Sequence, residues 1–114
     1  YSKDGGATWD TTFYDKNLPD PVNQGSTLSW KKGKGYILAV CNAANEKSRD
    51  NLTLRVSKDK GKTWYVNKVV AKAPEGYKGS YSAYSDIVLL NKNTIGVLYE
   101  KDNYKTIVFD PIKI

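Results

Sequence analysis

The 114-residue sequence contains no histidine and no methionine, and Cys41 is its only cysteine. A single cysteine excludes an internal disulfide. The absence of histidine argues against most zinc sites and against a Ser-His-Asp triad. Cys41 lies in the apolar segment YILAVCN, which predicts a small buried core residue at this position.

Long apolar runs and long amphipathic helical patterns are also absent, so the sequence shows no membrane span and no secretory leader. Nine tyrosines, three tryptophans and two phenylalanines are present. Short clusters of Val, Ile, Thr, Tyr and Trp alternate with Gly, Pro, Asn and Asp, a pattern typical of strands joined by turns. We therefore predict an all-β fold.

The net charge is +6, and lysine greatly outnumbers arginine. Lysine in turns is usually solvated and protects sheet edges from pairing with other chains. The alternative is attraction to acidic ligands such as nucleic acid or anionic sugars. No long Lys/Arg run is present and the aromatic residues fall at strand positions, so we expect no nucleic-acid partner.

One octapeptide occurs twice, as SKDGGATW (residues 2–9) and as SKDKGKTW (residues 57–64), with identical residues at six of eight positions. The aspartate of each copy can accept backbone N–H bonds. The glycine that stands three residues before the tryptophan can adopt a backbone conformation that other residues resist. The tryptophan is expected to fill space between sheets, with its indole N–H bonded to a nearby acceptor. Each copy thus predicts a hairpin turn. The alternative, a calcium loop, lacks sufficient oxygen ligands and a correctly spaced Glu.

From residue 26 onward, the sequence predicts seven strands, and residues 9–14 predict one more before them. The seven are residues 26–30, 36–42, 51–57, 64–70, 84–90, 94–100 and 105–109. Two longer segments, residues 18–25 and 73–80, separate groups of strands. Four-stranded units repeated at this spacing are typical of β-propeller blades.

We therefore divide the chain into the end of one blade (residues 1–17), one complete blade (residues 18–72) and most of a last blade (residues 73–114). A propeller has at least four blades, so the chain is expected to be the C-terminal piece of one larger domain. The chain is therefore expected to pack against the remainder of that propeller, because an isolated piece would expose blade faces and unpaired edges.

The repeated octapeptide resembles the aspartate box of sialidases (exo-α-neuraminidases), although aspartate boxes also occur in propellers without this activity. Three further segments are similar to that family, in the same order. They are NAANEKSRDNLTLRVS (residues 42–57), GSYSAYSDIV (residues 79–88) and IGVLYEKDNYKTIVF (residues 95–109). The resemblance covers nearly the whole chain but only the last part of the family's domain.

The resemblance implies a six-bladed propeller that removes terminal sialic acid from glycans with retention of configuration and without a cofactor or metal. It implies that Tyr84 is the nucleophile, that Arg49 is one of three arginines binding the sugar carboxylate, and that Glu100 orients another of them. Gln24 is expected to line the pocket. The other two arginines, the acid/base aspartate and the glutamate that activates the tyrosine have no counterpart here, so the piece is expected to be inactive alone.

The expected ligand is thus a sialylated glycan, and the implied location is secreted, periplasmic or cell-surface. Two alternatives remain open at this point. One is a non-catalytic propeller that binds glycan or protein. The other is a transglycosylating relative, which passes sialic acid to another sugar or to its own hydroxyl. Arg55 and Asp86 are interpreted as structural or surface residues, and Tyr81 and Tyr99 as packing residues.

Overall fold

The computed structural model describes all residues, 1–114, and its regular structure consists of seven β-strands in two antiparallel sheets. The strands are β1 (Ser26–Lys32), β2 (Gly35–Ala43), β3 (Leu52–Ser57), β4 (Val66–Ala71), β5 (Ser82–Asn91), β6 (Thr94–Lys101) and β7 (Thr106–Lys113). The predicted all-β fold is confirmed. The chain contains no helix long and apolar enough to cross a membrane.

The first sheet has four strands in the order β1-β2-β3-β4, and the second has three in the order β5-β6-β7. Sequential antiparallel neighbours of this kind need only short connections. All seven strands predicted from residue 26 onward are present, and the largest difference lies at β7, which ends at Lys113 and not at Phe109. The division into three blade segments stays a prediction.

The core lies between the two sheets. Every residue of β3 is buried, and β2, β5 and β6 contribute alternating apolar side chains that pack against it. Two buried hydroxyls also join the sheets, since Ser26 Oγ and Ser85 Oγ lie 3.1 Å apart. Cys41 is fully buried in this core, as predicted.

The second octapeptide forms the turn between β3 and β4 through its own side chains. Ser57 Oγ donates to Asp59 and accepts from the N–H of Gly61, at 2.7 and 2.8 Å. Asp59 in turn accepts from the backbone and the hydroxyl of Thr63, at 2.8 and 2.6 Å. These bonds, chiefly those from Thr63 and Ser57, lower the pKa of Asp59 from 3.8 to about 2.

The first octapeptide folds into the same turn, with Ser2 and Asp4 in the equivalent roles. The two copies differ at their tryptophans. Trp9 is 73% exposed and donates to the carbonyl of Gly6 at 3.0 Å, whereas Trp64 is half-buried and its indole nitrogen has no partner. The expected burial between sheets is therefore wrong for Trp9, and the expected hydrogen bond of the indole is wrong for Trp64.

The strand predicted over residues 9–14 is wrong, because these residues have no regular secondary structure. A strand requires a hydrogen-bonded neighbour, and the backbone bond made here runs instead from the N–H of Asp10 to the carbonyl of Tyr1, at 2.7 Å. Apolar side chains in the segment stay exposed, at 63% for Phe13 and fully for Tyr14.

Candidate functional site

A β-bulge in β5 carries Tyr84. Ser82 pairs with Lys101 and Ser85 pairs with Tyr99, so the two residues between them face the single residue between Lys101 and Tyr99, Glu100. A bulge of this kind locally redirects side chains and leaves backbone groups without ladder partners. Ala83 and Ser85 are consequently buried on either side of Tyr84, which is 45% exposed.

Side chains from the segment before β1 form hydrogen bonds with the backbone groups of the bulge. Asn23 donates to the carbonyl of Ala83 at 2.8 Å, and the side-chain oxygen of Gln24 accepts from the N–H of Ser85 at 3.3 Å. These two contacts flank Tyr84 and replace the interstrand bonds that the bulge interrupts. The structure therefore places Gln24 beside Tyr84, where it lines the same cleft.

The backbone of Arg49 is attached to the start of β5. Its carbonyl accepts hydrogen bonds from the N–H groups of Tyr81 and Ser82, at 2.9 and 3.1 Å. Its guanidinium carbon lies 5.2 Å from the centre of the Tyr84 ring, a cation–π distance. Arg49 and Tyr84, predicted from separate motifs, are thus in contact on the same side of the molecule.

Tyr104 also contacts Arg49. The guanidinium donates to the Tyr104 hydroxyl at 2.9 Å, and that hydroxyl lies 3.2 Å from Ser80 Oγ. The bond to Tyr104 raises the pKa of Arg49 above its ordinary value. Hydrogen bonding with Ser80, and then with Arg49, lowers the pKa of the Tyr104 phenol.

Glu100 faces the bulge from β6, and its Oε2 accepts a hydrogen bond from the backbone N–H of Tyr84 at 3.3 Å. The role implied for Glu100, orienting an arginine from another blade, involves a residue outside this chain. Glu100, Tyr84 and Gln24 line one open cleft of about 430 Å³. Asp86, interpreted from sequence as a structural or surface residue, lines this cleft too.

This arrangement offers a half-exposed phenol, a guanidinium beside it and a carboxylate across the cleft. A guanidinium can bind a ligand carboxylate through two parallel charge-assisted hydrogen bonds. A phenol can act as a nucleophile once a base removes its proton. No group of three or more His, Cys, Asp or Glu side chains that could hold a metal ion is present.

Of the residues interpreted from sequence as packing, structural or surface residues, Tyr99 and Arg55 are buried and Tyr81 is half-buried. Tyr99 is 3% exposed and donates to Asp110 at 3.0 Å, and burial with this bond raises its pKa. Tyr81 packs edge-on against Tyr77, with ring centres 5.0 Å apart. The buried side chain of Arg55 donates to Asn42 at 3.2 Å.

Tyr104 and Asn23 were not among the site residues predicted from the sequence. Tyr104 reaches Arg49 across 55 positions of sequence, and nothing in the local pattern distinguishes it from the other tyrosines. Asn23 stands directly before Gln24, and this adjacency is the only feature of the sequence that indicates a place for it near the site.

Comparison with known proteins finds similarity in sequence and in overall fold to sialidases. The model of the BNR repeat-like domain family matches residues 1–97. A sialidase of Micromonospora viridifaciens is 33% identical over 105 residues, which is 87% of this chain and 15% of that protein. A sialidase of Bacteroides fragilis is 34% identical over 104 residues, covering 87% of this chain and 18% of that protein.

An exo-alpha-sialidase of Arthroderma benhamiae is 32% identical over 92 residues, covering 80% of this chain and 22% of that protein. The chain therefore spans between 15% and 22% of these curated relatives. Among solved structures, the Hadza microbial sialidase Hz136 matches with a TM-score of 0.77 and 23% identity, over 99% of this chain and 22% of that one. The predicted β-propeller fold is confirmed by this match.

Proposed function

Because this chain belongs to the BNR repeat-like domain family, we propose that it is part of a retaining exo-α-sialidase. In this proposal the whole protein hydrolyses terminal sialic acid from glycoconjugates through a tyrosyl-enzyme intermediate. The chain supplies Tyr84 as the nucleophile, Arg49 as a ligand of the sugar carboxylate and Glu100 as the residue that orients another arginine. Gln24 lines the pocket and holds the bulge.

The contact between Arg49 and Tyr84 carries the proposal. Sialic acid bears its carboxylate on the anomeric carbon, so a group that binds the carboxylate must lie beside the group that attacks that carbon. The guanidinium carbon stands 5.2 Å from the Tyr84 ring centre, close enough for both side chains to reach one monosaccharide. The aspartate-box turns alone would not favour catalysis over binding.

The chemistry of the sugar explains the use of a phenol. A carboxylate nucleophile would approach the anomeric centre against the charge of the adjacent carboxylate, whereas a phenol is neutral until its proton leaves. Sialidases are a known exception to the two-carboxylate scheme of glycosidases for this reaction. A free phenol has a pKa of about 10, so a neighbouring base must remove the proton.

The proposed reaction has two steps. The Tyr84 oxygen bonds to the anomeric carbon and loses its proton to a base, while the glycosidic C–O bond breaks and the departing alcohol takes a proton from an acid. Water then attacks the same carbon and gives its proton to the group that acted as the acid, while the bond between that carbon and the Tyr84 oxygen breaks and the phenolate takes back the proton held by the base. Two inversions give net retention of configuration.

The remaining acid, base and arginines are proposed to come from the rest of the same propeller. Residues 1–17, 18–72 and 73–114 are then parts of successive blades, and the 114-residue piece is inactive by itself. Sialylated glycans are the proposed ligands, so we place the whole protein outside the cytoplasm, as a secreted, periplasmic or cell-surface enzyme.

Replacing Tyr84 tests the proposal. In the full-length protein that contains this chain, Tyr84→Phe should reduce turnover of a fluorogenic sialoside by roughly three orders of magnitude or more, because the attacking oxygen is lost. Tyr36→Phe is the matched control, since Tyr36 lies 68% exposed at the hairpin end of β2. Wild-type rates for Tyr84→Phe would contradict the nucleophile assignment.

Product analysis completes the test. Free sialic acid as the product supports hydrolysis, and sialic acid transferred to an added sugar acceptor indicates the transglycosylating alternative. A full-length protein that binds sialosides but turns none over would be a non-catalytic propeller, and the proposed activity would be wrong.

A further inference from the structure

We propose that Tyr104 is a positioning residue that holds the guanidinium of Arg49 over Tyr84 and thereby sets the affinity of the site for the sugar carboxylate. This inference rests on the function proposed above and assigns a role to a residue that neither the motif reasoning nor the family resemblance identifies. Tyr104 acts through Arg49 and needs no contact with the reacting atoms.

The first observation is that the side chain of Arg49 needs an anchor that its backbone does not provide. The Arg49 carbonyl is fixed by two hydrogen bonds from Tyr81 and Ser82, so its Cα position is well determined. The side chain itself is only partly buried. A long arginine side chain at the surface samples several rotamers unless a partner selects one.

Tyr104 provides that partner. Its hydroxyl accepts from the Arg49 guanidinium at 2.9 Å and lies 3.2 Å from Ser80 Oγ, so the phenol links the guanidinium to the segment that leads into β5. A hydroxyl can accept from one group and donate to another at once. The guanidinium keeps its remaining N–H donors, because one bond to Tyr104 uses only part of its five-donor set.

The turn that presents Tyr104 is strained and held in place. Asp102, Asn103 and Tyr104 have positive φ angles of 52°, 55° and 66°. Asn and Asp tolerate this region, but a bulky residue such as tyrosine rarely adopts it. Such a conformation persists only where surrounding contacts enforce it, and it is concentrated at functional sites.

Those contacts are visible on both sides of the turn. The N–H of Asn103 donates to the carbonyl of Ser80 at 2.7 Å, and the hydroxyl of Tyr77 donates to Asp102 at 2.7 Å. The side chain of Asn103 lies against Gly79, where an added Cβ would come within 2.9 Å of its oxygen. The turn is therefore locked to the segment before β5, and Tyr104 is presented toward Arg49.

The test is a double-mutant cycle in the full-length protein, with a fluorogenic sialoside for kinetics and free sialic acid for calorimetric binding. Tyr104→Phe keeps the ring and removes the hydroxyl. We expect the KM for the sialoside and the Kd for free sialic acid each to rise roughly tenfold, with a smaller change in kcat. Tyr36→Phe, the same chemical change at an exposed site, should leave both constants unchanged.

The second arm repeats Tyr104→Phe in an Arg49→Ala background. If Tyr104 acts through Arg49, the second substitution should add no further loss. Equal losses in both backgrounds would overturn the positioning role. Ser80→Ala, which removes the other partner of the phenol, should weaken binding in the same direction by a smaller factor, and thermal unfolding identifies any variant that fails to fold.

The outcomes separate this inference from the proposed function. If Arg49→Ala weakens binding and Tyr104→Phe does not, the positioning role is wrong and the proposed enzyme stands. If Arg49→Ala leaves sialoside binding and turnover unchanged, the positioning role of Tyr104 and the proposed function are both wrong.

Discussion

The carboxylate of Glu100 on β6 accepts a hydrogen bond from the backbone N–H of Tyr84 on β5, at 3.3 Å. The bond lies within the β-bulge, where the N–H of Tyr84 faces a side chain and not a neighbouring backbone carbonyl. Glu100 therefore contributes to the position of Tyr84 as well as adding negative charge to the cleft. The resemblance to sialidases implied a different role for Glu100, which is to orient an arginine from another blade.

Replacing Glu100 separates the two contributions. Glu100→Gln keeps an oxygen that can accept the N–H bond but removes the charge, so we expect a higher KM for a sialoside. Glu100→Ala removes both the acceptor and the charge. We expect this variant to have an activation free energy about 1 kcal/mol higher than that of Glu100→Gln, and therefore a kcat several-fold lower. Steady-state kinetics of the full-length variants measure both effects, and equal rates for the two variants would exclude a positioning contribution.

Asn23 should be important for both stability and turnover. Its side-chain N–H donates to the carbonyl of Ala83 inside the bulge, at 2.8 Å. Asn23→Ala leaves that carbonyl unpaired, so we expect a loss of about 1 to 3 kcal/mol in unfolding free energy and a reduced kcat. Asn17→Ala is the control, because Asn17 is exposed and its side chain bonds only to Asp15.

Denaturant titration and sialoside kinetics on the full-length protein check this prediction. A stability change for Asn23→Ala as small as that for Asn17→Ala would show that the carbonyl finds another partner. Normal turnover in a destabilised variant would show that the bulge holds Tyr84 without Asn23.

The aspartate-box turn should weaken in acid. The pKa of Asp59 is lowered from 3.8 to about 2 by its bonds with Thr63 and Ser57, so the ionised form is favoured in the folded state. The stabilisation is therefore present above about pH 4 and is lost as the pH falls toward about 2. Asp59→Asn should reduce the pH dependence of stability in this window, whereas Asp10→Asn, outside the turns, serves as the control.

A carboxylate-selective NMR titration checks the assignment directly. A midpoint for Asp59 near 4, the ordinary value for aspartate, would show that the turn does not hold its carboxylate in the ionised form.

Cys41 should be chemically inert in the folded protein. Burial raises the pKa of its thiol to about 12, and the side chain is fully enclosed. The thiolate is the reactive species, so almost none is present at about pH 8. Iodoacetamide should leave Cys41 unmodified in native protein and alkylate it in denaturant, as read by peptide mass mapping. Rapid native alkylation would mean that the two sheets separate readily.

The parts of the fold that were predictable from sequence depend on local chemistry. The turn at Ser57 and Asp59 is built by side chains within one octapeptide, so its pattern is readable without knowledge of the rest of the chain. Strands with alternating burial, such as β5 and β7, were likewise recognisable. Residues 9–14 have strand-forming composition, but a strand also needs a partner, and composition does not reveal one.

The parts that were missed depend on distant contacts. Tyr104 contacts Arg49 across 55 positions, and the backbone of the bulge at Tyr84 bonds to side chains about 60 positions earlier. Neither relationship leaves a periodic trace in the sequence. Arg49, Tyr84 and Glu100 could be named only because their motifs resemble those of a family, and their catalytic roles stay predictions.

Covalent trapping tests the central claim most directly. Full-length protein treated with a fluorinated sialosyl fluoride, which forms the glycosyl-enzyme but slows its hydrolysis, should carry one added sugar, and peptide mass spectrometry should locate it on Tyr84. The Tyr84→Phe variant should carry none. A covalent sugar on any other residue, or a trapped wild-type enzyme whose Tyr84 peptide is unmodified, would contradict the account.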